Sequence, residues 1–526
     1  MKIFYSKIVI FAFFLSLMIF LFVLFIVLIA VFKLSFFYIY GFFVLTLAWV
    51  SSFVIFMSSK RLAASKTSWI FVIFAIPFFG ICFYLLFGRT YYYKKYHRFI
   101  NRTKDFYKLD DWSLENDFLK ANKDNHQRLS LYKFIKNISY KPISHFNHFQ
   151  FFIDGVEKME SVYKDILKAK KYIHVEYFII SDGFILSLFL KLLEQKSQEG
   201  LDVRIIYDGV GSLMDLGIGY IKQLRKHNIK IHCFSPPWSN LGTSTNYRNH
   251  RKAIIIDGKV VYFGGINIGN EYIGVTNKFG YWRDNHILIK GAAANIFELN
   301  FLQDWEFITQ KYIKNKAEYL NYQSPVLNNH LLSHQESSSN EWIHTVENSP
   351  SYVDSLHYQL IVKLFASAKK RIWIQTPYLV LSDELIDILK IMANSEVDVK
   401  IITPAVADKK TVHFMTRLNY QKLIPHHIEI YEYQNAFYHA KGILIDDDIT
   451  FLGSTNLDYR SIFLNYELSS VFYSKKVADL FEKQFLKDLT FCKPIKLDNN
   501  DKFKFPNNFI YVNFMKVFCK VFEPLL

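Results

Sequence analysis

The sequence predicts an α/β protein built from two similar halves and preceded by a membrane-inserted helical hairpin. Three observations predict it. Long uncharged apolar runs are confined to the first 90 of 526 residues. From about residue 146 onward, β-branched and aromatic segments alternate with helical ones, the mark of βαβ units. The same segments then recur once further along the chain.

Residues 8–32 carry no charge, and about 20 apolar residues suffice to cross a bilayer. The run is too long for the apolar core of a signal peptide, and no small-residue cleavage site follows it. Residues 34–59 are uncharged as well and include Tyr38, Tyr40 and Trp49. The two runs read as a tight helical hairpin around Lys33. A third uncharged stretch, 67–88, contains Pro77 and Gly80 and is basic on both sides: Lys60, Arg61 and Lys66 before it, Arg89, Lys94, Lys95 and Arg98 after it. The positive-inside rule puts both flanks in the cytoplasm. A re-entrant or interfacial segment broken at Pro77 satisfies that rule, and leaves a multi-pass cell-membrane protein with a cytoplasmic catalytic part. Three full spans with an extracytoplasmic catalytic part is the alternative.

The anchor is therefore expected over 1–90, and 91–145 reads as a polar linker with some helix. The first half is expected over 146–335 and the second over 336–500. "ILKAKKYIHVEYFII" (166–180) is echoed by "LFASAKKRIWIQTPYLV" (364–380), and "LDVRIIYDG" (201–209) by "VDVKIITPA" (397–405). A Ser-, Asn- and His-rich stretch, 325–345, joins the halves. Within the last segment, 501–526, residues 505–526 are largely apolar with Lys516 and Lys520 as the basic residues, which suits a helix lying on lipid or one packed on the core.

Each half carries one H-x-K-x4-D motif. His250, Lys252 and Asp257 form the first; His439, Lys441 and Asp446 form the second, each residue 189 positions on. Asn267 and Asn456 follow at the same spacing. An isolated strand histidine is more often a hydrogen-bonded core residue, but two copies in register are a specific signal. "HRKAIIID" and "HAKGILID" alternate like strands, so His and Lys share a face. Two histidines, two lysines and two asparagines then converge in one cleft. Lysines and amides hold phosphate oxygens. One histidine can attack phosphorus to give a phospho-histidine; the other can protonate the leaving alkoxide and later deprotonate the acceptor. The lysines supply the positive charge, so no metal or other cofactor is expected. Asp257 and Asp446 stand at strand ends beside turns, where a scaffold role competes with a chemical one. Asp284 in "YWRDNHILI" and Glu467 in "LNYELSSVF" are candidates to orient the histidines from the second ring nitrogen.

These motifs resemble the duplicated HKD motifs of the phospholipase D superfamily, and the blocks "NYRNHRKAIIIDG", "GGINIGNEY", "WRDNHILIKG" and "GSTNLDYRSIFLNYEL" resemble those of bacterial cardiolipin synthases. Trp69, Pro77, Gly80 and Phe87-Gly88-Arg89 fit that family's N-terminal stretch. The resemblance runs from about residue 35 to the end. It implies two phospholipase D-like domains packed as a pseudo-dimer with the active site between them. It also implies transfer of a phosphatidyl group between two phosphatidylglycerol molecules, with release of glycerol. His250 would be the nucleophile and His439 the general acid, and the family assigns Asp257 and Asp446 to the motif. The extra apolar N-terminal segment departs from the family pattern.

The formal net charge of +16 suits an anionic partner, either a membrane face or nucleic acid. The apolar N-terminus favours the membrane and disfavours a nuclease, so no nucleic-acid partner is expected. A hydrolase, in which water accepts the phosphatidyl group, would use the same residues, as would a transferase making another phospholipid. Acceptor choice is expected in loops such as 234–246. The four cysteines are scattered and make no CxxC, which argues against a disulfide framework or a zinc site. Oligomeric state is left open.

Overall fold

A computed structural model describes residue 27 and residues 33–58, 63–88, 94–109, 114–212, 215–216, 218–236, 246–275, 280–320, 341–352, 354–498, 503 and 509–522. The chain divides into two units. One comprises 1–92, 235–248 and 508–526, the other 93–234 and 249–507.

In the first unit, helix α1 (Lys33–Met57) contains an 18-residue window, Tyr40–Met57, long and apolar enough to cross a membrane. One narrow stripe of it, Ala48, Ser52 and Ile55, is buried, while Phe42, Trp49 and Phe53 face outward. That stripe packs on Trp69, Val72 and Ile73 of α2 (Ala63–Ala75). The chain then breaks at Ile76 and restarts with Pro77 as the first residue of α3 (Pro77–Phe83), as expected of a residue that cannot donate to the preceding turn. In an unbroken helix, residues 72 and 80 would be about 12 Å apart. Here a Cβ on Gly80 would meet the Val72 carbonyl oxygen at 2.5 Å, so the chain doubles back and only glycine fits. The 8–32 run, apart from Val27, and residues 59–62 lie outside the described residues.

The second unit holds both halves. Residues 91–145, expected to be a linker with some helix, contain α4 (Lys94–Leu109), α5 (Glu115–Ala121) and α6 (His126–Ser139). Phe118, Leu131 and Ile135 from these helices are fully buried in the core of the second half.

The first half brings β1 (Ser144–His145), β2 (His148–Phe152), α7 (Gly155–Leu167), β3 (Tyr172–Tyr177), α8 (Phe184–Gln198), β4 (Asp202–Asp208), α9 (Ile218–Lys226) and β5 (Lys230–Phe234). It continues with β6 (Lys252–Ile256), β7 (Val260–Gly264), β8 (Trp282–Arg283), β9 (His286–Lys290) and α10 (Ala294–Thr309). The second half follows with β10 (Trp342–Asn348), α11 (Leu356–Ser367), β11 (Arg371–Gln375), α12 (Asp383–Asn394), β12 (Asp398–Pro404), α13 (Lys410–Leu423) and β13 (Glu429–Tyr433). It ends with β14 (Phe437–Tyr438), β15 (Gly442–Ile445), β16 (Ile449–Gly453), α14 (Tyr459–Phe463), β17 (Asn465–Tyr473), α15 (Lys475–Leu489) and β18 (Cys492–Pro494). The last described helix, α16 (Phe509–Phe522), belongs to the first unit.

The first sheet runs β2-β9-β7-β6-β3-β4-β5. The second contains the same order, β10-β17-β16-β15-β11-β12-β13, with β1 and β18 added at its ends. Directions match pair by pair: β3-β4-β5 and β11-β12-β13 are parallel, the other pairs antiparallel. Even the register repeats, with Ile173 opposite Ile256 and Ile372 opposite Ile445. The duplication expected from the sequence is therefore a duplication of sheet topology. Every residue of β6 and of β15 is buried, as an apolar run between covered faces requires. Strand β8 pairs in parallel with β14, linking the halves beside the two motifs.

Candidate active site

His250 and Lys252 stand at the start of β6, and His439 and Lys441 just ahead of β15. Both strands run antiparallel to their neighbours β3 and β11, so the motifs lie at the carboxyl ends of the parallel strands. That is the edge where open α/β sheets bind ligands. Two main-chain bonds cross between the halves there: His250 N donates to Tyr466 O at 2.9 Å, and His439 N donates to Arg283 O at 2.7 Å.

Each accepting residue, Tyr466 and Arg283, is followed by an acid that reaches back. Glu467 of the second half holds His250 Nδ1 at 2.9 Å, and Asp284 of the first half holds His439 Nδ1 at 2.6 Å. Each histidine is thus oriented by the opposite half, and neither half makes a complete pair alone. With Nδ1 committed to a carboxylate, Nε2 is the nitrogen left for chemistry.

Burial dominates the charge states. It pulls His250 down to about 4, with Glu467 opposing and Lys252 assisting. His439 is pulled down to about 4 as well, by burial first and then by Lys441, against Asp284. Burial alone would raise both acids. The charges of Lys441 and His439 on Asp284, and of His250 and Lys252 on Glu467, instead hold them below the usual carboxylate range. Lys252 donates to the His250 carbonyl at 2.6 Å, and Lys441 lies 2.7 Å from His439 Nδ1 and 3.5 Å from Asp284. Burial depresses both lysines, with Glu467 opposing first for Lys252 and Asp284 first for Lys441; each feels charges of the other half, so the motifs converge. Two ammonium groups at the centre suit an anion rather than a cation.

Asn267 accepts from Ile179 N at 3.1 Å and donates to the Tyr272 hydroxyl at 3.2 Å. Asn456 is buried, and its side-chain oxygen has no hydrogen-bond partner among the described residues. Asp257 and Asp446 are not brought to the histidines. They lie at the far ends of β6 and β15. Asp257 accepts from the main-chain amides of Lys170, Lys171 and Tyr172 at 2.8–3.0 Å. Asp446 accepts from those of Lys369, Lys370 and Arg371 and from Gln127 Nε2. These are scaffold contacts.

Several contributors stand inside the repeated and family-like segments, where pattern alone assigned them no role. Ser454 and Ser461 both donate to Glu467, Ser461 at 2.5 Å. At the position equivalent to Ser454 stands Gly265, where a Cβ would meet Asp284 Oδ1 at 2.1 Å. Phe178 lies edge-on to His250, ring centroids 5.0 Å apart, and Trp282 lies 5.2 Å from His439. Arg251, between His250 and Lys252, faces the other way and is fully buried. It joins Asp304 of the first half to Glu347 of the second, fixing the motif strand from behind. Of the 234–246 loop, residues 237–245 lie outside the described residues, as do 321–340 between the halves.

Comparison with known proteins agrees with this geometry. The family described as cardiolipin synthase, PLD-like domain, matches residues 162–305 and again 361–489. The one described as phospholipase D-nuclease N-terminal matches 42–89. The chain is 32% identical over 480 residues to a cardiolipin synthase of Halalkalibacterium halodurans, covering 90% of this chain and 91% of that one. It is 32% identical over 493 residues to cardiolipin synthase 2 of Staphylococcus epidermidis, covering 91% and 96%. Among solved structures, the phosphatidylserine synthase of Haemophilus influenzae Rd KW20 superposes with a TM-score of 0.57 at 16% identity, over 76% of this chain and 100% of that one, a likeness of fold.

Proposed function

Because the chain belongs to the cardiolipin synthase family with phospholipase D-like domains, we propose that it is a phosphatidyltransferase that joins two phosphatidylglycerol molecules into cardiolipin and releases glycerol. The observation that carries the reaction is the reciprocal exchange of histidine and acid between the halves.

Nε2 of neutral His250 attacks the phosphorus of the first lipid. The bond from phosphorus to the headgroup glycerol oxygen breaks, and His439 gives that oxygen a proton. A phosphatidyl group is left on His250. His439, now neutral, takes the proton from a hydroxyl of the second lipid's glycerol as that oxygen attacks phosphorus and the N–P bond breaks. Glu467 and Asp284 keep each ring turned and stabilise its cationic form. In the empty site His439 is held low by burial and Lys441; an incoming phosphodiester brings negative charge that raises it toward the protonated form the first step needs. Lys252, Lys441, Asn267 and Asn456 line the phosphate oxygens.

The membrane-inserted reading rests on the first unit. A 13-residue helix such as α2 is about 20 Å long, short of the roughly 30 Å hydrocarbon core. Together with the reversal at Pro77, this favours a re-entrant segment after α1, with both basic flanks and the catalytic unit in the cytoplasm. Helix α16 adds a second apolar surface: Val512, Met515 and Cys519 are buried, but Ile510, Phe514 and Val517 are exposed.

The test is product analysis. The full chain in lipid–detergent micelles with chelator and labelled phosphatidylglycerol should give cardiolipin and free glycerol, and His250→Ala or His439→Ala should give neither. Phosphatidic acid as the sole product would reassign the chain to hydrolysis.

A further inference from the structure

Lys158 takes no part in the steps above. It lies on α7, whose first turn is capped by Asp154 and whose buried face also carries Gly155, Met159, Val162, Ile166 and Asp165, the last held by Tyr262 and Lys290. Lys158 is fully buried among them. Its Nζ donates to the carbonyl oxygens of Ile266 at 3.3 Å and Asn267 at 3.4 Å and lies 4.8 Å from the Tyr177 ring centroid. Among the described residues it has no carboxylate at ion-pair distance. A buried ammonium without a counter-ion is costly, and a methionine would fill the same space without that cost.

The second half shows what the position is for. The repeat that sets Ile372 against Ile173 sets His357 of α11 against Lys158. His357 is fully buried too, and its Nδ1 meets the Thr455 hydroxyl at 2.8 Å while Nε2 meets Val346 O at 2.9 Å. Thr455 stands where the first half has Ile266. In both halves, then, the first helix sends a buried basic side chain to the same turn, the one carrying Asn267 or Asn456. In the second half the peg is neutral, because burial holds His357 down at about 4. In the first half it is an amine that burial pulls down to about 7, with Asp284 opposing, and that an anion in the cleft would push back toward its charged form.

We propose that Lys158 is a positioning residue: its ammonium pins the Ile266–Asn267 turn and sets a third positive charge behind Lys252 and Lys441, on the first half's side of the phosphate cleft. This rests on the phosphodiester chemistry proposed above. A bound phosphodiester is anionic, and negative charge on its oxygens redistributes as phosphorus is attacked. A buried cation with no counter-ion acts on that charge with little screening. The asymmetry is local to the first half, where His250 supplies the nucleophile.

Lys158→Met and Lys158→His, made in the full chain, test the assignment. Turnover is read as whatever phosphatidylglycerol product the wild type makes, so that the identity of the product judges the proposed function and the ratio of variants judges Lys158. Binding of inorganic phosphate, followed by calorimetry, gives a readout independent of turnover. Lys158→Met should melt at or above the wild-type temperature, bind phosphate more weakly and lose about tenfold or more in kcat, with KM changed by less than about twofold. Lys158→His, a neutral peg, should stay impaired. Wild-type kcat and phosphate affinity in Lys158→Met would overturn the proposal, as would an activity loss that merely follows a lowered melting temperature. Full recovery in Lys158→His would also overturn it, by showing that a neutral peg suffices.

Discussion

Around His250 and His439, burial and charge pull in opposite directions, and the two halves settle the contest with different residues. Glu467 is held by His250, Ser454, Ser461 and Asn465 Nδ2. Asp284 has fewer side-chain partners, His439 at 2.6 Å and Lys441 at 3.5 Å, and accepts from the Asn285 main-chain N–H at 2.7 Å. Its place depends on the empty space over Gly265. Gly265→Ala should therefore push Asp284 off His439 and lower kcat by about 100-fold, the usual cost of an ångström-scale misplacement. Ser454→Ala, across the pseudo-symmetry, removes one of several bonds to Glu467 and should cost about tenfold or less. Single-turnover rates of the two variants, with melting curves as the control for folding, check the contrast. Equal effects would mean that the two acids are held alike.

Between strands, the two motif aspartates make their contacts at the ends of β6 and β15 away from the histidines. Asp257 and Asp446 adopt positive φ, 53° and 52°, and fold their carboxylates over the amides that open β3 and β11. An amide side chain at either position would turn an NH2 group on those donors. Asp257→Asn and Asp446→Asn should thus each cost about 1–3 kcal/mol of stability, read by denaturant unfolding, while the folded fraction keeps its kcat. A large fall in kcat at unchanged stability would return these residues to the chemistry. The sequence carried the repeat, the motif spacing and the identity of both orienting acids, because strand alternation and fixed offsets are local properties. It could not tell which acid serves which histidine, since that pairing exists only once the halves pack. Nor did it single out Lys158, since a lysine on a helix reads as solvated, and it placed Gly265 after the first motif without a role, since a glycine after a strand reads as a turn. The polar surface of 91–145 likewise hid the buried faces of α5 and α6, whose Phe118 and Leu131 complete a core formed by distant segments.

Seen whole, the chain places its first and last described helices in one unit, where Val521 and Phe522 pack with the cluster of Ala48, Ile55 and Trp69. Helix α16 is thereby both packed and exposed: it buries one face, and its other face is an apolar stripe, Ile510, Phe514 and Val517 being 75%, 63% and 59% exposed. Water is a poor solvent for such a stripe, and lipid a good one. In bilayers with brominated acyl chains, an environment-sensitive dye on Phe514→Cys should emit to the blue and be quenched, whereas a water-like, unquenched emission would put this face in solvent. Phosphatidyl transfer through His250, completed by an acid from the other half, is the chemistry proposed for the cleft between the halves. It is tested by quenching the full chain in alkaline denaturant during turnover of phosphatidylglycerol labelled in either the phosphorus or the headgroup glycerol. The prediction is phosphorus label, without glycerol label, on residue 250, and none on the chain in His250→Ala. Cardiolipin formed with no label on the wild-type chain, or label on another residue, would contradict it.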